Sequence, residues 1–516
     1  MLRKVVTSYG TIEGIVSGDP RITVFKGVPF AAPPIGALRW APPQPPKAWE
    51  GVFKADHFAP IAMQAGYVND ITDFYMKEIH PCGSELKMSE DCLYLNIWSP
   101  AESETDGFPV FLWIHGGGYT GGYSYEMEFD GERMARKGCI VVTIAYRMGG
   151  IGFFAHEDLE KELPGGSQGN FGFLDQAAAI KWVSENIRAF GGDPERIVIC
   201  GQSAGAGSVT ALICSPLTAG MVNGAILMSG GGLGQPGRNS CSLEKAQEEG
   251  GLLLEALGVS SVNEARKLPA DKIISAMSRI RAERGGYAYR AYPVVDGVFL
   301  KEDPALTILY NRLPDIPIIC GFCHDEGFSF FSANQKKTAE EFTDDIRREY
   351  ADDAEAFLRL ADIHNDEDVT SLYQKETFHP FLLRHGCFAK VLDNQDRKVY
   401  MYMFDHDIPG DDAGSYHGSD LWFIFDSLNR CWRPFEGKHY DLARQVSSYF
   451  VNFVKQGDPN GVDSNGKTLP TWKPYSQAQE NVMVFRDKPG TETLPSDELL
   501  RLRQTHFLEG LSQEGE

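Results

Sequence analysis

The strongest constraint on the fold is the stretch from Arg196 to Ile213, R-I-V-I-C-G-Q-S-A-G-A-G-S-V-T-A-L-I. It opens with a β-branched apolar run, Ile197 to Cys200, which predicts a buried strand. It turns sharply through Gly201-Gln202-Ser203-Ala204-Gly205 and leaves through small and apolar residues that let a helix pack close on a strand. This is G-x-S-x-G in a strand–turn–helix context, the nucleophile elbow. A turn this tight leaves no room for side chains two residues either side of the serine, and glycine adopts strained backbone angles most cheaply. An ordinary Gly-rich turn shares the five-residue pattern, but Ala204, Ala206 and Gly207 continue the run of small residues and favour the elbow. The hydroxyl of Ser203 is then expected at the carboxyl edge of a sheet.

The rest of the chain supplies that sheet. Cys92 to Trp98 alternates as a strand does. Pro109 to Ile114, Ile140 to Ala145 and Ala225 to Met228 are near-continuous apolar runs, as parallel strands covered on both faces are. Ile316 to Phe322 and Val399 to Phe404 read as further strands, and Thr11 to Ser17 and Ile22 to Val28 as weaker ones. Asn170 to Phe190 carries an amphipathic helical pattern that Gly191-Gly192-Asp193-Pro194 stops. Ser242 to Arg281, Glu340 to Gln374, Tyr440 to Lys455 and Asp497 to Leu508 are helical. Gly27 to Trp49 holds too many prolines for helix or central strand, and Phe30, Trp40 and Trp49 anchor it as an ordered extended segment. Strands alternating with helices predict an α/β fold with a mostly parallel, doubly wound sheet. Insertions are expected near 60–85, 240–290 and 330–390; the acidic helices of the last are read as a solvated face, with a lid as the alternative.

Composition narrows function. With 49 Lys+Arg against 71 Asp+Glu the net charge is −22, which argues against nucleic acid and anionic membrane surfaces and weakly repels anionic substrates. The N-terminus M-L-R-K-V-V-T-S-Y-G lacks the apolar core of a signal peptide, and no 18-residue apolar run exists, so a cytoplasmic protein without a membrane span is expected. Ten dilute cysteines are expected to be mostly reduced and buried.

A serine hydroxyl needs a general base, an orienter for that base and donors for the oxyanion. In elbow folds the acid and then the histidine follow the serine. The strand ending at Phe322 leads into Cys323-His324-Asp325-Glu326, and position alone does not separate the two carboxylates. Among the histidines further on, His364, His379 and His385 lie in or beside the helical insertion, and His439 and His506 in the terminal helices. His417 sits in G-S-Y-H-G-S-D, a loop able to swing a ring over Ser203; His406 is the runner-up. His115-Gly116-Gly117-Gly118 follows a strand, and the amides of Gly117, Gly118 and Ala204 are expected to form the oxyanion hole. A phosphate cradle is disfavoured because no G-K-[ST] follows. Tyr119, Tyr123, Gln202, Phe328, Phe330, Phe331, Trp422 and Phe425 lie beside these loops and suggest an apolar or aromatic pocket. Cys320-Gly-Phe-Cys323-His324 also fits a haem-attachment or redox C-x-x-C pattern, but haem attachment needs export, which the N-terminus does not support, and the motif sits at the strand end where the acid is wanted, so both readings are disfavoured.

Jointly, F-K-G-V-P-F-A-A-P-P-I-G-A-L-R-W, E-D-C-L-Y-L-N-I-W, W-I-H-G-G-G-Y, A-Y-R-M-G-G-I-G-F-F, G-N-F-G-F-L-D-Q, F-G-G-D-P-E-R-I, G-Q-S-A-G-A-G-S and D-E-G span almost the whole chain. The chain resembles the type-B carboxylesterases, the carboxylesterase/cholinesterase group of α/β-hydrolases. The resemblance implies one α/β-hydrolase domain over residues 1–516, with a small N-terminal antiparallel sheet and helical insertions forming a cap or gorge. It implies Ser203 as nucleophile, Glu326 rather than Asp325 as the acid, and His417 as the base. It implies no metal and no organic cofactor, only an ester substrate and water. Relatives usually carry Glu before the serine; Gln202 here weakens any expectation of cationic substrates, so small, mostly uncharged, apolar or aromatic esters are expected. Amide or thioester hydrolysis on the same groups, or a non-catalytic binding homologue, are the alternatives. Secreted relatives bridge a cysteine matching Cys92; with Cys82 the nearest upstream partner, no bond is expected.

Overall fold

The computed structural model describes residues 1–65, 74–80, 86–234, 239–283, 292–328, 337–375 and 379–513. Its central sheet contains, in chain order, β1 (Ile15–Val16), β2 (Thr23–Pro29), β3 (Tyr94–Ser99), β4 (Phe108–Ile114), β5 (Ile140–Ile144) and β6 (Gly192–Gln202). It continues with β7 (Gly224–Met228), β8 (Ile318–Cys323), β9 (Val399–Phe404), β10 (Asn481–Phe485) and β11 (Gly490–Thr493). The spatial order is β11-β10-β9-β8-β7-β6-β4-β5-β3-β2-β1. Strands β4 to β10 pair in parallel, and both ends of the sheet are antiparallel.

The parallel strands are buried on both faces because successive side chains point opposite ways. Leu112, Ile199, Leu227, Cys320 and Met401 enter one core; Phe111, Trp113, Cys200, Ile226, Tyr402 and Phe404 enter the other. Helices α1 (Phe171–Asn186), α2 (Ala204–Cys214) and α3 (His379–Asn394) contribute buried side chains to the first core, and α4 (Gly437–Gln456) to the second. Helix α1 is buried nearly all round rather than amphipathic, with Lys181 one of the few exposed positions. Trp40, fully buried, anchors the proline-rich segment by donating its indole N–H to Gly150 O at 2.7 Å.

Several elements depart from the sequence expectation. The small N-terminal sheet is mixed rather than antiparallel: Lys4–Thr7 pairs antiparallel with Gly10–Glu13, which pairs in parallel with Val52–Lys54. Strands β10 and β11 were not anticipated, so β9 is not the last strand. Strand β10 is a short apolar run, and β11 is polar and half-exposed, so neither carries a strong pattern. In the 330–390 insertion, Ala339–Tyr350, Ala354–Ala361 and Asp366–Lys375 pack around Phe342, Ile346, Tyr350 and Phe357 with Leu499 of the C-terminal helix. The 240–290 insertion is helical over Leu243–Leu257, Val262–Ala265 and Ala270–Glu283, and Phe74–Ile79 is the described helix of the first.

Just past β5, Arg147 donates from Nε and Nη2 to Asp175 of α1 at 2.8 and 2.7 Å, with both side chains fully buried. The Asp175 carboxylate also accepts the Arg147 amide at 3.0 Å, so one pair ties loop and helix together. Removing one member of a buried pair strands the other charge, at about 3–5 kcal/mol. Asp175→Ala is therefore expected to lower unfolding stability by about that amount in a denaturant titration; a loss under about 1 kcal/mol, the range of an exposed pair, would contradict it.

Candidate active site

Strand β6 delivers the chain to Ser203, whose backbone sits at φ 56°, ψ −123°. Few non-glycine residues adopt such angles, and they persist only where surroundings enforce them. Here the Ser203 amide donates to Met228 O at 2.8 Å, and its carbonyl accepts from Gly207 at 3.1 Å. A Cβ on Gly205 would lie 2.1 Å from Ile114 O, so only glycine lets α2 start this close to the end of β4.

The two adjacent carboxylates after β8 separate completely. Glu326 is fully buried, accepts the Cys323 amide on Oε1 at 2.8 Å, and accepts a short hydrogen bond on Oε2 from His417 Nδ1. Asp325 points elsewhere. It accepts from the Ser415 amide at 2.8 Å and hydroxyl at 3.0 Å, and lies 2.9 Å from His324 Nδ1. It thereby fixes the loop two residues before His417. The His417 ring is 94% buried and faces Phe381 of α3, with ring centroids 5.6 Å apart. His406 lies 3.3 Å from Asp487 and packs on Phe423 and His439 instead.

The H-G-G-G loop turns on Gly117 and Gly118, at φ 97° and 61°. A Cβ on Gly117 would meet Gly121 O at 2.1 Å. Gly117 O accepts the amides of Thr120 and Gly121 at 3.1 and 3.0 Å, closing the turn. Among the described residues, none of the amides of Gly117, Gly118 and Ala204 donates a hydrogen bond within the protein.

Two cavities meet at Ser203. The larger, about 740 Å³, is lined by His417, Gln202, Trp422, Phe129 and the three glycines Gly116 to Gly118. The smaller, about 230 Å³, is lined by Ala204, Tyr119, Gly230, Phe381 and Arg384. Of the expected pocket residues, Gln202 and Trp422 therefore face one cavity and Tyr119 the other. Phe425 belongs to the core, against Phe111 and Trp113, and Tyr123 is buried away from both cavities, donating to Ile79 O at 3.0 Å. The side chain of Phe328, and Phe330 and Phe331 altogether, lie outside the described residues.

Glu78, Glu126, Glu128 and Arg384 line these cavities without having been singled out in the sequence. Glu78 is neutralised by Arg433 at 2.9 Å and accepts from Tyr416 and Trp432 at 2.8 Å each. Burial, and then the nearby Glu126 and Glu78, push the Glu128 carboxyl well above the usual carboxylate range. The run Y-S-Y-E-M-E-F that carries Glu126 and Glu128 has no pattern that would flag them.

The C-x-x-C-H reading fails on geometry. Cys320 and Cys323 are three apart on one strand and enter opposite cores, so both thiols cannot reach one group. Burial raises both thiols far above their ordinary value. The nine described cysteines are all free, Cys92 among them; Cys82 lies outside the described residues. Among the described residues no helix is long and apolar enough to cross a membrane.

The sheet order, the elbow and the loops at its carboxyl edge define an α/β-hydrolase. Solved structures agree: a PNB esterase superposes with a TM-score of 0.81 at 27% identity, covering 98% of this chain and all of that one. A Geobacillus stearothermophilus carboxylesterase matches with a TM-score of 0.76 at 31% identity, over 98% of this chain and 100% of the other. The model of the Carboxylesterase family matches residues 2–501. Among curated relatives, fumonisin B1 esterase of Sphingopyxis macrogoltabida is 34% identical over 94% of this chain and 86% of its own. The para-nitrobenzyl esterase of Bacillus subtilis is 29% identical over 96% of this chain and 97% of its own. The chain belongs to the carboxylesterase family and is a carboxylic-ester hydrolase.

One titration beside the site is measurable. Asp420, fully buried three residues after His417, accepts from Tyr402 at 2.6 Å; burial first, and then Glu326, push its carboxyl up to about 6. The folded state then holds a proton that the unfolded chain releases near pH 4. Asp420 thus adds stability below about pH 4, and that contribution is lost as pH rises to about 6. Relative to the parent, Asp420→Asn is expected to gain stability from pH 4 to pH 7, by up to about 3 kcal/mol. A thermal unfolding series in which the difference between the two proteins stays flat over that range would refute it.

Proposed function

We propose that the chain hydrolyses carboxylic esters through an acyl-enzyme formed on Ser203. The observation that carries this reading is the buried Glu326–His417 hydrogen bond, set in a cavity that Ser203 and the glycine loop also line. With Nδ1–H given to Glu326, a neutral His417 keeps its lone pair on Nε2, the nitrogen that takes the serine proton. Ser203 Oγ attacks the ester carbon while His417 accepts that proton. Glu326 holds the tautomer and stabilises the imidazolium without itself becoming protonated. The oxyanion is received by the amides of Gly117, Gly118 and Ala204. His417 next protonates the departing alkoxide. Water, deprotonated by the same ring, then cleaves the acyl-enzyme and returns Ser203.

The alcohol part of the ester occupies the larger cavity, because that is where His417 must deliver its proton. Phe129, Leu421, Trp422, Met76 and Ile79 line it, which supports an apolar or aromatic alcohol. The para-nitrobenzyl esterase relative, named for an aromatic group, is in keeping with this. The family model that matches residues 2–501 supports reading the chain as one domain. The free cysteines suit a reducing compartment such as the cytoplasm.

Ser203→Ala is expected to lower kcat by about 10⁴–10⁶-fold with thermal unfolding unchanged. Glu326→Gln should lose far more activity than Asp325→Asn, and His417→Ala far more than His406→Ala, in an assay with p-nitrophenyl acetate; the opposite ranking would move the roles. Benzyl acetate should be turned over faster than methyl acetate, and the reverse preference would overturn the apolar alcohol site.

A further inference from the structure

The smaller cavity carries chemistry that ester hydrolysis alone does not require. If the alcohol leaves on the His417 side, the acyl chain has to extend from Ser203 into the other cavity, along Ala204 and Gly230. Its wall holds Arg384, on α3 one helical turn beyond Phe381, whose ring contacts His417. Arg384 thus lines the same cavity as Ser203.

Arg384 is half-buried and, among the described residues, makes no ion pair and no hydrogen bond. Burial lowers its pKa from the ordinary arginine value, while the Tyr292 side chain acts the other way; arginine nevertheless stays protonated. The one acid among the described residues lining this cavity, Asp303, is already engaged. It caps a helix through the Ala305 amide at 2.8 Å and accepts the Ser240 hydroxyl. A partly desolvated cation with no counter-ion is costly, and a bound anion relieves that cost. The planar fork of a guanidinium matches a carboxylate in particular.

We propose that Arg384 binds a carboxylate carried by the acyl part of the ester, so that preferred substrates are half-esters of short dicarboxylic acids. This rests on the acyl-enzyme reading above, and it runs against the repulsion expected from the net charge of −22. The overall field acts at long range and is screened within about 10 Å at ordinary salt; the guanidinium acts in contact.

The test compares p-nitrophenyl hydrogen glutarate with p-nitrophenyl pentanoate, which share a leaving group and differ by an acid at the end of the acyl chain. The parent protein is expected to favour the glutarate in kcat/KM. Arg384→Gln should lower the glutarate-to-pentanoate ratio by about 10–100-fold, mostly through KM, as loss of a hydrogen bond to a charged group does. Arg384→Lys, which keeps the charge but not the fork, should lower it less, and serves as the readout if the glutamine variant is inactive. Free glutarate should inhibit the parent more strongly than either variant. A ratio unmoved in an active variant, or a parent that favours the pentanoate, overturns the Arg384 assignment and leaves the serine mechanism standing. Full turnover of both esters by Ser203→Ala overturns the acyl-enzyme reading and the assignment with it.

Discussion

Everything in the site depends on one backbone residue held where backbones rarely go. Ser203 sits at φ 56° between the end of β6 and the start of α2. A conformation of this kind costs on the order of 1–3 kcal/mol and has to be imposed by packing. The imposition is visible on three sides: the hydrogen bond that the Ser203 amide donates to Met228 O, the one its carbonyl accepts from the Gly207 amide, and the close approach of Gly205 to the end of β4. The sheet core supplies the rigidity, since alternating side chains of the same strands fill both flanking layers.

The carboxylates after β8 show how two neighbours of the same chemistry divide the work. Glu326 turns into the core and meets His417, while Asp325 stays half-exposed and ties down Ser415 in the same loop. One orients a ring and the other orients the loop that carries it. The cost of burying Glu326 is spread over the Cys323 amide and the imidazole. Asp420, buried beside it, carries its own penalty as a raised carboxyl. Of the two cavities, the larger is lined by His417 and the smaller by Arg384.

Much of this was legible in the residues, because local sequence dictates it. The elbow is specified by small residues within a few positions of Ser203, and the central strands by unbroken apolar runs. Position alone did not separate Asp325 from Glu326, since both follow the same strand end; the resemblance implied Glu326, and the inward path of the chain brings that side chain to His417. Strands β10 and β11 follow His417 in the chain, and the Asp325–Ser415 tie helps to hold its loop in place. Arg384 escaped notice because a lone arginine on a helix carries no spacing signal. The C-x-x-C-H pattern is the converse: its spacing matches a motif, but a strand sends its two thiols to opposite faces.

The central claim is that the oxygen of Ser203 is the atom that bonds to the acyl group. It is tested most directly by treating the protein with a serine-directed phosphonate and mapping the adduct by mass spectrometry. The account predicts one adduct per chain, on Ser203, formed in step with the loss of esterase activity and absent from Glu326→Gln on the same timescale. Full turnover by protein whose residue 203 is completely modified would contradict it.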